Sequence, residues 1–182
     1  IQVIGTTSDF PVVRDYPVEI GRYFSSEEDE RKARVAILGA AITTDLFGDE
    51  DPTGQTITVG TTKLTIIGVM ASKGVVADID YDGRIYLPIE LAFDKFITTS
   101  SMSGDRVKTI YVKVTDSEKM DSVIQQITYL VAERHDLDPY SPDFTISTQQ
   151  DIIATQEATT EAFRSFLGWV AGVSLLVGGI GI

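Results

Sequence analysis

The side chains best suited to holding a metal ion are three alternating carboxylates, Asp78, Asp80 and Asp82, which are followed by Gly83. In an EF-hand loop, alternating carboxylates surround calcium and a glycine permits the sharp turn. Here the twelfth loop position, which should carry a bidentate glutamate, falls on Ile89, and a predicted strand replaces the exiting helix. We therefore predict a solvated acidic loop and no metal site.

His135 is the single histidine of the chain and follows a predicted amphipathic helix. A cation at that place interacts favourably with the C-terminal carbonyls of the helix, and we assign it this role. A catalytic triad would need a serine held against this histidine, but no Gly-x-Ser-x-Gly elbow and no Walker motif occur. The sequence thus predicts no catalytic residue, no cofactor and no enzymatic activity.

The charge balance excludes several kinds of partner. The 182 residues carry a formal net charge of -12, and there is no cysteine. Because nucleic-acid binding depends on lysine and arginine neutralising phosphates, we expect no nucleic-acid partner. The acidic run Glu27 to Glu30 is predicted to be a solvated loop, with a surface for a cationic partner as the alternative.

The last stretch, Ser165 to Ile182, carries no charge and is rich in valine, leucine, isoleucine and glycine. About 18 such residues are the usual threshold for a membrane-span candidate, so the tail resembles a truncated span. Gly168 and Gly172 have the spacing of small residues at which membrane helices pair. The alternative is a buried C-terminal helix.

The second half of the chain predicts a βαβ unit. Alternating apolar residues over Lys108–Val114 predict a half-buried strand, and a second short strand is predicted over Phe144–Ser147. Between them, Thr115 and Glu118 have the spacing of a capping box and open an amphipathic helix that ends near His135. Two parallel strands joined by this helix would follow.

A long helix is predicted after the βαβ unit, because Thr148 and Asp151 have capping-box spacing and no proline follows. Ala154, Ala158 and Ala162 form a row of small side chains at i, i+4 spacing, which suits close packing against another helix. Exposed alanines that serve only helix propensity are the alternative.

The first half of the chain predicts short elements separated by turns. They are a strand at Val35–Leu38, a helix at Ile42–Phe47, a hairpin of Ile57–Val59 and Leu64–Val69 around Gly60, a strand at Ile85–Leu87, and a mobile loop at Thr98–Arg106.

An ordered series of motifs then resembles a known family, the periplasmic core domain of MacB-like and FtsX-like ABC transporter permeases. The series is Gly21-Arg22-Tyr23-Phe24, Val35-Ala36-Ile37-Leu38-Gly39, Leu46-Phe47-Gly48, Asp51-Pro52 with Gly54, Ile66-Ile67-Gly68-Val69, Tyr86-Leu87-Pro88 and the tail from Leu175 to Ile182. Each motif alone is weak, but their order and spacing extend over nearly the whole chain.

The resemblance implies an α+β fold with a porter-like βαβ part, a smaller β-rich insertion called the sabre, and a stalk helix entering the membrane. The expected boundaries are 1–105 for the sabre-like part, 106–148 for the second half of the porter-like part, and 149–182 for the stalk and the start of a span. The family's first membrane helix and first porter unit should precede Ile1.

The resemblance also implies a function in the cell membrane, with this domain outside the cytoplasm. The domain would couple ATP hydrolysis by a separate ATPase domain or subunit to the export or extraction of a substrate. The expected partners are that ATPase, a second permease copy, and a periplasmic adaptor or another extracytoplasmic partner. The predicted helix-packing residues Ala154, Ala158, Ala162, Gly168 and Gly172 are compatible with such a dimer. The alternatives are an FtsX-like regulator of cell-wall hydrolases and a membrane-anchored binding module without an ATPase.

Overall fold

The computed structural model describes residues 1–76, 79–97, 107–138 and 143–180, without the side chains of 152, 155, 158 and 175–180. The chain forms two compact units, Ile1–Lys113 and Val114–Ile182, called here the sheet unit and the helical unit. The loop predicted at Thr98–Arg106 lies outside the described residues.

Among its described residues, the sheet unit has eight strands and four short helices. The strands are β1 (Gln2–Thr6), β2 (Val18–Gly21), β3 (Val35–Leu38), β4 (Thr56–Val59), β5 (Thr62–Met70), β6 (Val75–Val76), β7 (Ile79–Asp80) and β8 (Arg84–Pro88). The helices are α1 (Phe10–Val13), α2 (Ser26–Glu30), α3 (Ala40–Phe47) and α4 (Ile89–Lys95).

The main sheet is mixed, with the order β1-β8-β3-β5-β2 and with β4 also paired to β5. The pairs β1/β8 and β3/β5 are parallel, whereas β3/β8, β2/β5 and β4/β5 are antiparallel. Strands β6 and β7 form a separate antiparallel pair. The parallel pairs join strands far apart in sequence, so the sheet depends on contacts that local patterns do not reveal.

The main sheet has a core on each face. Successive side chains of a strand point to opposite faces, so neighbouring residues belong to different cores. One core contains Leu38, Leu64 and Ile66 with Leu91 of α4, and each of these side chains is at most 1% exposed. The core on the other face is aromatic. Its buried residues are Tyr16, Phe24, Ile37, Met70, Tyr81 and Tyr86.

Several predicted elements of the sheet unit are confirmed. The hairpin forms between β4 and β5, with Ile57 opposite Leu64 and with Gly60 at a positive φ of 60°. The predicted strands at Val35–Leu38 and Ile85–Leu87 are β3 and the centre of β8. The sequence patterns missed β1, β2, β6, β7, α1, α2 and α4, which are too short for periodicity to distinguish them from loops.

The helical unit contains a 3-10 turn at Ser117–Lys119, α5 (Met120–Arg134) and α6 (Gln149–Ile180). The predicted helix ending near His135 is confirmed as α5. The predicted cap at Thr115 is wrong: Asp116 caps the turn, because its carboxylate accepts from the Glu118 amide at 3.1 Å. Asp116, one residue after Thr115, therefore supplies a single cap in place of the expected capping box of Thr115 and Glu118.

The strands predicted on either side of α5 do not form. Residues 108–114 and 144–147 have no ladder partner among the described residues. A strand needs a hydrogen-bonded neighbour, and an alternating pattern supplies only one side of that pair. The apolar side chains of the first pattern are not buried either: Ile110 is 70%, Tyr111 is 41% and Val112 is 53% exposed.

Helix α6 starts where the sequence predicts. The Thr148 amide donates to the Asp151 carboxylate at 2.8 Å, and the Asp151 amide donates to the Thr148 hydroxyl at 3.1 Å. Across the described parts of the chain, no helix combines the length and the apolar character required to cross a membrane. The predicted span over Ser165 to Ile182 ends outside the described residues and stays a prediction.

Candidate functional site

The predicted acidic loop is organised by a buried carboxylate. Asp82 is 8% exposed and accepts hydrogen bonds from the Ser72 hydroxyl at 2.8 Å and from the amides of Lys73 and Gly74, both at 2.9 Å. The Tyr16 hydroxyl donates to it at 3.3 Å. Burial opposes ionisation of Asp82, but these donors outweigh it and lower its pKa. The prediction of a solvated loop is therefore wrong at Asp82.

The second described carboxylate of that motif also closes a turn. Asp80 accepts from the amides of Asp82 at 3.1 Å and Gly83 at 3.0 Å. Asp78 lies outside the described residues. Within the part of the chain that the structure describes, no three acidic or histidine side chains lie close enough together to hold a metal ion.

Three tyrosines surround Asp82 in the aromatic core. Tyr16 makes edge contacts with Tyr81 and Tyr86, with ring centroids 5.4 Å and 6.0 Å apart. The Tyr86 hydroxyl donates to the Tyr81 carbonyl at 2.9 Å. Burial raises the pKa of Tyr16 and of Tyr86 well above the usual range, so both stay neutral hydrogen-bond donors.

Three cationic side chains surround Tyr81. The Arg14 guanidinium donates to the Tyr81 hydroxyl, and Arg84 and Lys73 lie 5.8 Å and 5.3 Å from its ring centroid. The Lys73 ammonium also donates to the carbonyls of Arg14 at 2.8 Å and Asp15 at 3.0 Å. These contacts fix the end of α1 against the aromatic core, and sequence spacing gave no signal for them.

The acidic run Glu27 to Glu30 is not a loop, because it forms most of α2. Ser25 and Glu28 make a reciprocal capping box, and Arg22 binds both carboxylate oxygens of Glu28, at 2.6 Å and 2.7 Å. The Arg22 guanidinium lowers the pKa of Glu28 to about 2. The spacing of Ser25 and Glu28 was the available signal for this helix.

His135 lies at the C-terminal end of α5, where the sequence predicts it. Its Nδ1 atom is 2.9 Å from a carboxylate oxygen of Asp143, and its ring makes an edge contact with Phe144 at 6.4 Å. Both partners come from the segment that follows the helix. The geometry supports a local structural role for His135.

The predicted packing row lies on α6. Ala154, Ala162, Gly168 and Gly172 are exposed, and open space surrounds the positions that a Cβ atom would take at the two glycines. At about 100° per residue, Gly168 and Gly172 lie within about 40° of the direction of Ala154. Ala158 belongs to the same helix, and its side chain is outside the description. The use of this face for packing stays a prediction.

Large apolar side chains of α6 are also exposed. Their exposed fractions run from 47% for Val170 to 75% for Trp169. Phe163 and Phe166 are 64% and 63% exposed, although aromatic rings are usually buried against other groups. So many exposed large apolar side chains on one helix favour its use as an interaction surface.

The chain is thus a mixed α+β domain with two buried sheet faces, followed by a long helix with exposed apolar side chains. It belongs to the family described as the MacB-like periplasmic core domain, whose sequence model matches residues 1–130. The predicted family and the α+β fold are confirmed.

Known relatives agree with this assignment. The macrolide export ATP-binding/permease protein MacB of Azoarcus sp. (strain BH72) is 34% identical over 97% of this chain, which spans 26% of that protein. The pyoverdine export ATP-binding/permease protein PvdT of Pseudomonas syringae pv. syringae is 29% identical over 98% of this chain and 26% of its own length. The chain therefore spans about a quarter of these relatives.

Two solved structures share the fold. The periplasmic region of MacB from Actinobacillus actinomycetemcomitans has a TM-score of 0.68 at 21% identity, covering 85% of this chain and 64% of that one. The extracellular domain of the noncanonic ABC-type transporter YknZ from Gram-positive bacteria has a TM-score of 0.61 at 19% identity, covering 75% of this chain and 66% of that one.

Proposed function

We propose that this chain is the extracytoplasmic domain of an ABC transporter permease in the cell membrane. In this proposal the domain has no enzymatic activity, and an ATPase domain or subunit in the cytoplasm supplies the energy for export. The family assignment supports the extracytoplasmic location of the domain. The relatives are named export ATP-binding/permease proteins, which supports export as the class of function. The substrate class to test first is a macrolide.

The observation that carries the coupling mechanism is the continuity of α6. The helix runs without a break over 32 residues, from Gln149 to Ile180, and at about 1.5 Å per residue it is about 48 Å long. Its first turn is fixed by the capping box of Thr148 and Asp151. A continuous helix resists bending and therefore transmits displacement along its axis.

The test is to interrupt the helix in the full-length transporter. Four glycines inserted after Gln156 would each cost about 1 kcal/mol of helix stability relative to alanine. The control inserts four alanines, which keep the helix continuous and rotate its two parts by only about 40°. We expect the glycine variant to lose macrolide export while ATP hydrolysis persists, and the alanine variant to retain export. Equal export by both variants would refute coupling through α6.

We further propose that Ala154, Ala158, Ala162, Gly168 and Gly172 form the helix-packing face of a homodimer. The open space at Gly168 and Gly172 supports this proposal, because a second helix could approach the backbone there. Leucine at both glycines should convert the dimer to a monomer in detergent, as measured by light scattering. The control is Ser174→Leu, which lies about 160° from Gly172 around the helix and should leave the dimer intact.

A further inference from the structure

Residues 107–113 are the last segment of the sheet unit, and the helical unit begins at the next position, 114. This segment forms no β-ladder with the described strands. Ile110 and Val112 are 70% and 53% exposed, and Tyr111 between them is 41% exposed. The segment contacts the rest of the sheet unit through the side chains of Tyr111 and Lys113.

Both of these side chains contact α1. The Tyr111 ring makes an edge contact with Phe10, with centroids 6.4 Å apart, and the Arg14 guanidinium lies 4.3 Å from the centroid of the same ring. The Lys113 ammonium donates to the Val12 carbonyl at 3.1 Å. Carbonyls near the end of a helix lack partners within the helix, which makes them good acceptors for a lysine.

On its other side, α1 contacts the aromatic core of the sheet unit. Phe10 contacts Tyr86 with ring centroids 5.4 Å apart, and Arg14 donates to the Tyr81 hydroxyl. Lys73 binds the carbonyls at the end of α1, and its own amide binds Asp82. Helix α1 is thus held firmly against the sheet unit, whereas the 107–113 segment contacts α1 through the side chains of Tyr111 and Lys113.

We propose that Phe10, Arg14 and the Val12 carbonyl form a clamp for Tyr111 and Lys113, and that this clamp is a conformational switch point. Aromatic, cation–π and lysine–carbonyl contacts at an exposed site are individually weak, so they can open while the sheet stays folded. Release of the clamp would free residues 107–113 from α1 without breaking a hydrogen bond of the main sheet.

Because the chain contains no cysteine, spin labels attach only at the cysteines that are introduced for a distance measurement. Spin labels on Val12→Cys and Ile110→Cys would stand on side chains that are 68% and 70% exposed. With the clamp intact we expect one narrow distance distribution between the labels, in the whole chain. Combining Tyr111→Ala with Lys113→Gln should replace it by a broad distribution, while Tyr111→Phe, which keeps the ring, should leave it narrow.

Thermal unfolding followed by the near-ultraviolet signal of the buried tyrosines completes the test. The double variant should unfold at the temperature of the parent. A broad distribution in the parent, a narrow one in the double variant, or loss of the folded sheet unit in that variant would each overturn the proposal. Because the readout is a distance, this result is independent of export.

Discussion

The sheet unit has a core of fully buried apolar side chains on its central strands, whereas the large apolar side chains described on α6 are exposed. Leu64 and Ile66 in the centre of β5 are fully buried, but Phe163 and Phe166 on α6 are more than 60% exposed. Burial of apolar surface is the main favourable term in folding. The sheet unit therefore obtains its stability from its own core, whereas α6 carries large apolar side chains that its described contacts do not bury.

The largest expected difference between the units comes from removing one apolar side chain from each. Ile66→Ala should lower the free energy of unfolding of the sheet unit by about 2–5 kcal/mol, because it leaves a cavity in a packed core. Phe163→Ala should change the stability of α6 by no more than about 0.5 kcal/mol, because the ring is exposed. Urea unfolding can follow tyrosine circular dichroism for the first and Trp169 fluorescence for the second. Equal losses would contradict the comparison.

A smaller effect is expected at the buried carboxylate. Asp82→Ala leaves the amides of Lys73 and Gly74 without their acceptor, and an unsatisfied buried donor costs about 1–3 kcal/mol. The matched control is Asp49→Ala, at an exposed position, which should be nearly neutral. Urea unfolding of the sheet unit measures both. A neutral Asp82→Ala would show that water replaces the carboxylate at no cost.

The cap of α6 tests local stabilisation in the helical unit. Thr148→Ala removes the hydroxyl that accepts from the Asp151 amide, and we expect about fivefold faster hydrogen exchange in the first turn of the helix. Thr160→Ala, in the middle of α6, should leave that turn unchanged. Exchange in β5 should be the same in both variants, since the two units are stabilised separately.

The smallest effect is expected for the ion pair of Arg22 and Glu28. Arg22 holds the pKa of Glu28 at about 2, against an ordinary value of 4.5, so the pair stabilises the fold above pH 4.5 and this contribution is lost as the pH falls toward 2. Arg22 is 58% exposed, so solvent screening limits the contribution to about 1 kcal/mol. The stability difference between the parent and Glu28→Gln should therefore shrink between pH 4.5 and pH 2.

Elements that depend on neighbouring residues could be predicted from the sequence. The hairpin around Gly60, the helix ending near His135 and the capping box at Thr148 are confirmed, because their hydrogen bonds join residues close together in the chain. The packing row on α6 follows from residue spacing alone and stays a prediction. The contacts around Tyr81 were missed, since Arg14 and Tyr81 are 67 positions apart.

Errors arose where a local pattern had two possible environments. The alternation over Lys108–Val114 is present, but no strand forms there and the side chains facing α1 are Tyr111 and Lys113. The alternating carboxylates Asp80 and Asp82 suggested a solvated loop, yet the second is buried among backbone amides. Periodicity fixes which residues share a side and leaves open what that side contacts.

The sequence by itself determined the family, the start of α6 and the residues that share each face of a strand, because these follow from motif order and from interactions over a few positions. Tertiary structure alone decided which groups complete one another across the chain. The Asp29 carboxylate, for example, accepts from the Glu90 amide at 3.2 Å and so caps α4, whose own N-cap, Pro88, makes no side-chain bond. Such a partner is set by the folded sheet, which brings distant segments together.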